Sequence, residues 1–447
     1  MVFKQLPLPS LSVHVNNSSS RIMLPTSVPM NTILDKGLRS PAYAEPLYAN
    51  EDSCDISLPN IKGQSVRFKL HIPKVCRPRL LNVYTESAQH HSEAFADRFG
   101  LYTGQRFVGL QQYLFAYLCG FSYCTPTFQN EDVLHLIADY MTAIFAQDDR
   151  IDSKDSNLSS DLEKLAYKNN RLVMIMKGET LEGELSLKER AFLCIRNRLV
   201  MVVDDPSQLD VFAQTFDDWL ASTLWEVENR KKSAMPDLES YRAQRRLTGA
   251  AYTVFALGAA IIGVPSIYSS KTPAHLSIRN IVDMACDCIC IVNDMFSLRK
   301  ELEDYPNENI VYLLAKKNKQ GYQDAYNRAN GEYEAKMESI YNFLRLLPDD
   351  LPEKEKEYVV LVLNWVFGNI LWSQTTGRYR EDRTHNFTAY RDYLMDYHQP
   401  TVSPRLHRSQ SDSPRKPLSP RNGRLFSVRS SSQESSDSTC SEHESVD

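Results

Sequence analysis

EDVLHLIADYMTAIFAQDDRID, residues 131–152, decides the fold class. Its apolar residues Val133, Ile137, Met141 and Ile144 recur in steps of three and four. That is the period of an α-helix with one face turned to a core, and not that of a strand. The same stripe then runs into Asp148 and Asp152, with Asp149 beside them. Asp148 with Asp152, and Asp149 with Asp152, fall on one side of such a helix. Carboxylates on an inward face at a helix C-terminal end repel one another and oppose the helix dipole. A bound divalent cation removes both penalties. Mg²⁺ suits the site because it takes one or two carboxylates and fills its remaining positions with water and phosphate oxygens. The plainer alternative is a solvated acidic helix end.

Outward from this helix the chain stays apolar-periodic and poor in glycine from about 61 to 398. Helical signals are strongest over 131–152, 241–263, 278–303 and 354–378. The expected fold is therefore all-α, one helical domain over 61–398. Residues 1–60 are rich in Pro, Ser and Asn and read as a loose leader. Residues 399–447 are dominated by Ser, Arg and Pro and end in an acidic stretch. Such a tail buries too little apolar surface to offset its ordering entropy, so disorder is expected there.

A second polar stripe lies in ACDCICIVNDMFSLRKELE, residues 285–303. Asn293, Ser297 and Glu301 are spaced by four and continue an apolar line through Cys286, Ile289 and Cys290. An amide oxygen, a hydroxyl and a carboxylate in a row form a second oxygen site for Mg²⁺. Lys300, next to Glu301, can reach an anion that the same metal touches. The alternative is an amphipathic helix whose polar face holds these residues for solvation alone.

Composition narrows the function classes. Hydrophobic residues make up 42% and charged residues 24%, the range of ordinary globular domains. A net charge of -5 argues against a bulk nucleic-acid binder. The nine cysteines form no CxxC pair, and Cys286, Cys288 and Cys290 alternate in a helical run, so they cannot share one face. They read as reduced core thiols of an intracellular protein. The longest apolar run, 250–264, is too short for a membrane span. The N-terminus lacks a charged region followed by an apolar block, so no secretory signal is expected. Residues 1–34 hold no Asp or Glu and several Ser. A cytoplasmic protein is expected, with organellar import left open.

Taken together these segments resemble a known family. DDRID at 148–152 resembles the DDxxD motif of class I terpene synthases, and NDMFSLRKE at 293–301 their NSE motif. Between them, YRAQRRLTGAAY at 241–252 resembles the segment that carries the diphosphate-sensing arginine, here Arg245, followed by the helix-break linker Thr248 and effector Gly249. NILWSQTTGRYR at 369–380 resembles the segment ending in the Arg-Tyr pair, here Arg378 and Tyr379, and CGFSYCTP at 119–126 also fits. The likeness covers about 70–398, the span of a single microbial-type terpene cyclase domain as also found in corals. Thr248 departs from the acidic residue frequent at its position, and the leader and tail have no counterpart.

The resemblance implies an α-helical bundle with a deep central cavity. Asp148, Asp149 and Asp152 would bind Mg²⁺ on one wall and Asn293, Ser297 and Glu301 on the other, with Mn²⁺ as substitute. Arg245, Lys300, Arg378 and Tyr379 would hold the diphosphate of a prenyl substrate. Charge developing on that leaving group needs metals and cationic donors, and the cation left behind needs a dry pocket with aromatic faces. Phe145 and Trp372 are the candidate faces, each equally readable as plain core.

Two rivals remain. A prenyl diphosphate synthase shares the first motif but typically carries a second aspartate-rich motif where this chain has Asn293–Glu301. A non-catalytic scaffold would present the tail, where Ser403-Pro404, Ser413-Pro414 and Ser419-Pro420 sit among arginines, to a phospho-dependent partner. A class II cyclase is not expected, because Asp204–Asp205 and Asp217–Asp218 lack the preceding aspartate of a DxDD motif. The product and the choice between farnesyl and geranylgeranyl diphosphate stay open. The small residues Gly249, Ala250, Ala251, Ala256, Gly258, Ala259 and Ala260 lean toward the longer substrate, or else toward close helix packing.

Overall fold

The computed structural model describes residues 53–71, 81–153, 161–232 and 235–387. They belong to one compact unit. The loose leader up to residue 52, the tail 399–447 and its serine-proline pairs lie outside the described residues.

The fold is all-α with one small hairpin. Strands β1 (Ser53–Ile61) and β2 (Gln64–His71) pair antiparallel around a turn at Lys62–Gly63. The sequence reading places 53–60 in the loose leader, so the ordered domain starts earlier than expected. Alternate residues explain the strand: Ile56, Ile61, Val66, Phe68 and Leu70 point inward and are buried.

The helices follow in chain order. They are α1 (Thr85–Arg98), α2 (Gln105–Tyr113), α3 (Phe115–Ser122), α4 (Glu131–Asp152), α5 (Leu162–Lys177) and α6 (Leu187–Val202). Next come α7 (Asp210–Lys232), α8 (Leu238–Thr248), α9 (Ala251–Ile262), the short α10 (Ser266–Ser269) and α11 (Pro273–Glu301). The last are α12 (Ile310–Lys317), α13 (Tyr322–Leu344) and α14 (Glu353–Thr375), closed by a 3₁₀ turn at Gly377–Tyr379. None of them is long and apolar enough to cross a membrane.

Helix starts are written in the sequence. The Asn130 side chain accepts from the Val133 N–H and begins α4 at the expected residue. Ser186 and Glu189 form a reciprocal capping box at α6. Thr272 caps α11, with Pro273 at its first position.

The hairpin packs against α13 and backs α11. Phe68 stacks on Tyr326 at 5.3 Å and meets Phe296 edge-on at 6.1 Å. Gln323 bonds both the N–H and the carbonyl of Arg67, and Asn330 donates to the Lys69 carbonyl, so α13 side chains cover the free edge of β2. This props α11 from behind, on the side away from the cavity described next.

One expected helix is two. The 241–263 signal breaks after Thr248, where Ala250 takes a left-handed conformation (φ 55°). Gly249 has an ordinary φ of -68°. It is glycine for space: a Cβ there would lie 2.6 Å from Cys290 Sγ and 3.0 Å from the Arg245 carbonyl oxygen. At the break the carbonyls of Arg245 and Arg246 accept from the thiols of Cys290 and Cys286, that of Arg245 alongside the Gly249 N–H. Cys288 points the other way, toward the Tyr333 carbonyl. The alternating thiols thus divide between two faces, as their spacing requires.

Candidate active site

Helices α4, α7, α11 and α14, the α8–α9 break and the Gly377–Tyr379 turn surround one cavity, which spans about 1230 Å³ including its mouth. Each of α4, α7 and α11 carries polar residues at the mouth and apolar ones deeper along the preceding turns. On α4, Asp152 and Asp148 give way to Ile144 and Met141; on α7, Glu226 gives way to Trp219; on α11, Glu301, Ser297 and Asn293 give way to Cys290 and Ile289. Leu118 and Trp365 complete the apolar lining.

The first acidic cluster divides. Asp148 and Asp152 line the cavity, as their phase on α4 predicts. Asp149 does not join them. It accepts two bonds from Arg378 (2.7 and 3.0 Å) and one from the Tyr102 hydroxyl (3.0 Å), with Lys300 at 3.8 Å. Burial alone would raise the Asp149 pKa, but Arg378 and Lys300 outweigh it and hold it at about 2. Asp148 shifts upward, through burial first and then the charges of Asp152 and Asp149. The sequence groups three carboxylates; the fold gives two to the cavity and one to a cation pair.

The second stripe is assembled as expected. Asn293, Ser297 and Glu301 all line the opposite wall. Asn293 Oδ1 accepts from Arg245 at 2.7 Å, and its amide donates to the Tyr379 hydroxyl at 2.6 Å. Glu301 accepts from Asn309 at 2.8 Å and is raised by burial and by Asp294. Ser297 Oγ is buried beside Glu301 with no hydrogen-bond partner of ordinary geometry.

Arg245 sits at the end of α8, aimed at this wall. Its Nε donates to Asp294 at 2.9 Å and its Nη2 to Asn293. Asp294, 1% exposed, also accepts from the Tyr241 hydroxyl (2.6 Å) and the Ile310 N–H (2.8 Å). Arg246, one residue on, pairs with Asp287 and Asp283 away from the cavity. Thr248 and Gly249 line the cavity at the helix break.

Several residues of the mouth escape the sequence reading. Glu226 and Glu308 line it, both raised by burial first; Glu226 is raised next by Glu308 and Glu308 by Asp152. Arg230 bridges Asp152 (2.6 Å) and Glu308 (2.5 and 2.6 Å) and lies 4.0 Å over the Tyr305 ring. Glu226 and Arg230 are four apart on α7, a spacing that places them on one face and could have flagged them.

Among the described residues, no three His, Cys, Asp or Glu side chains cluster closely enough to hold a metal alone. The donor set nevertheless fits a divalent cation that shares its shell with a ligand. All the donors are oxygens, Asp148 and Glu301 are pushed toward the protonated form by burial first and then by neighbouring carboxylates, and Ser297 Oγ has no hydrogen-bond partner of ordinary geometry.

The aromatic lining is continuous. Phe145 stacks on Phe115 at 4.1 Å and lies 5.7 Å from Trp372, which meets Tyr379 at 5.5 Å. Phe145 also lies 5.1 Å under the Arg378 guanidinium. Of the small-residue run, Gly249, Ala250 and Ala251 line the cavity. Gly258 instead admits Leu361, which a Cβ would meet at 2.5 Å. That part of the run serves close helix packing.

Comparisons with known proteins agree with this geometry. A family model described as terpene synthase family 2, C-terminal metal binding, matches residues 139–339. The chain is 28% identical over 253 residues to (+)-eremophilene synthase of Sorangium cellulosum, covering 55% of this chain and 74% of that protein. It is 23% identical over 313 residues to the (+)-T-muurolol synthase of Roseiflexus castenholzii, named as (2E,6E)-farnesyl diphosphate cyclizing, covering 68% and 94%. The fold matches germacradien-4-ol synthase from Streptomyces citricolor with a TM-score of 0.54 at 22% identity, over 66% of this chain and 94% of that one.

Proposed function

We propose that this chain is a class I terpene synthase of microbial type, which ionises farnesyl diphosphate and closes the resulting cation into a cyclic sesquiterpene. One observation carries the reading: two oxygen-donor walls and three cations, Arg245, Lys300 and Arg378, share the mouth of one apolar cavity. The relatives' names favour the farnesyl chain over the geranylgeranyl one.

Divalent metal ions, Mg²⁺ or Mn²⁺ by the chemistry of the donors, would be held by Asp148 and Asp152 on one wall and by Asn293, Ser297 and Glu301 on the other, and would supply positive charge to the departing diphosphate. The chain's own groups do the rest. Arg245, fixed by Asp294 through Nε, turns Nη2 to Asn293 on the wall where the leaving group gains charge. Arg378 and Lys300 meet at the ionised Asp149 and leave one net positive charge on the same rim. The Tyr379 hydroxyl, fixed by Asn293, faces the mouth. Below them, Trp372 offers a ring face to a cation and, with Trp219 and Trp365, keeps water from it, while Phe145, held between Phe115 and Arg378, backs the same wall.

In this reading the catalytic domain begins with the hairpin at Ser53 and runs to 398, and the tail 399–447 is dispensable for chemistry. The test supplies purified protein with farnesyl diphosphate and isopentenyl diphosphate together. The reading expects extractable sesquiterpene and no longer diphosphate; chain elongation without hydrocarbon would make it a prenyl diphosphate synthase instead.

A further inference from the structure

We propose that the Trp219 indole sets the length of the prenyl chain this enzyme accepts, as the partition between the active-site cavity and a second cavity behind it. The inference rests on the functional reading above. Seven residues separate Trp219 from Glu226 at the mouth, a depth of about 10 Å along α7. Trp219 lies with Met141, Ile289, Val254 and Trp365 in the apolar part of the lining.

On the far side of Trp219 lies a second pocket, spanning about 950 Å³ including its opening to solvent, with Thr215, Leu247, Tyr268 and Val282 as well as Asp218, Arg279 and Asp283 in its lining. Trp219 and Ala250 line both cavities. Ala250 contributes only a methyl, at the left-handed residue of the helix break. The bulk of the wall is therefore the indole.

Trp219 is 2% exposed, yet its N–H has no hydrogen-bond partner. A buried donor normally finds one. The ring is held by packing, including the Phe216 edge at 5.5 Å, and not by a polar anchor. With the diphosphate at the mouth, the apolar end of the substrate reaches this part of the lining. A chain longer by one isoprene unit meets the indole. Removing it joins the two spaces in the direction the longer chain needs.

The test compares kcat/KM for geranylgeranyl and farnesyl diphosphates, with Mg²⁺, in the full chain. Trp219→Ala should raise the geranylgeranyl-to-farnesyl ratio about tenfold or more, the scale of discrimination an apolar pocket gives for small changes in chain size. Thr215→Phe, one turn before Trp219 and facing only the second cavity, should leave farnesyl turnover unchanged. In the double variant it should cancel the gain. Circular dichroism and urea unfolding report folding, and Trp219→Leu carries the comparison if the alanine variant does not fold. An unchanged ratio in the folded variants overturns the inference. So does a gain that survives Thr215→Phe, or a rise in alcohol products with no change in ratio, which would make the second cavity a water path. If the wild type converts no allylic diphosphate, the functional reading falls and this inference with it.

Discussion

Asp294 should prove as important to the reaction as any residue lining the cavity, although it does not line it. It is buried and holds Arg245 through Nε, with Tyr241 and Ile310 as its other donors. Asp294→Asn removes the charge opposite a guanidinium that is itself only 16% exposed, and turns an NH₂ toward groups that all donate. Breaking a buried ion pair at one partner costs roughly 3–5 kcal/mol, and a loss near the lower figure is expected because one acceptor oxygen remains. Arg245→Ala should also destabilise. The double variant should lose less than the sum of the two, giving a coupling of about 2 kcal/mol. Urea unfolding of the four proteins measures this. In the same proteins Asp294→Asn should lower kcat on the order of 10²-fold with little change in KM, because a misaimed Arg245 fails chiefly as the leaving group gains charge. A coupling below about 0.5 kcal/mol, the error of additivity for independent sites, would refute the positioning role. So would a wild-type kcat in Asp294→Asn.

Asp148→Ala and Glu301→Ala should each cost about 10²-fold or more in turnover, if each removes a transition-state charge contact worth roughly 3 kcal/mol, while circular dichroism stays helical; near-normal turnover in both would reduce the clusters to solvated helix faces. Arg245→Ala should lower kcat far more than Arg246→Ala, whose side chain pairs with Asp287 and Asp283 outside the cavity; equal losses in steady-state kinetics would contradict the assignment. Burial first, then the charges of Arg150 and Lys168, hold the Lys188 ammonium down at about 7, against 10.5 when unfolded. Between those values the unfolded chain binds the extra proton, so the site's contribution to stability rises with pH; below 7 both states are charged and the penalty stands in full. Lys188→Met should therefore stabilise most near pH 6, with an advantage that shrinks toward pH 10; a pH-independent difference in unfolding free energy would contradict it.

Much of the site was legible because periodicity carries it. The α4 stripe from Val133 to Asp148 and the four-residue spacing of Asn293, Ser297 and Glu301 both fix which face turns inward, and the fold turns both faces to one cavity. Periodicity does not reveal the partner across space. Asp149 differs from Asp148 by one position, and only the arrival of Arg378 from the other end of the chain decides that it leaves the cavity wall. Asp294 reads as a polar neighbour in a motif, and its role exists only because the end of α8 brings Arg245 against it. Periodicity does not show the break at Ala250, since a left-handed alanine reads as a helix former, and only the resemblance of Thr248 and Gly249 to the family's helix-break segment points to it. The hairpin at Ser53 hides for a related reason: its inward strand face is short, and its edge is satisfied by Gln323 and Asn330 from a distant helix.

The most direct test is the release of diphosphate from farnesyl diphosphate by the purified protein, followed with and without Mg²⁺ alongside analysis of the organic extract. The account predicts metal-dependent release matched mole for mole by a cyclic hydrocarbon or simple alcohol. Release that persists in a chelator, or metal-dependent release that yields only linear farnesol, would contradict it.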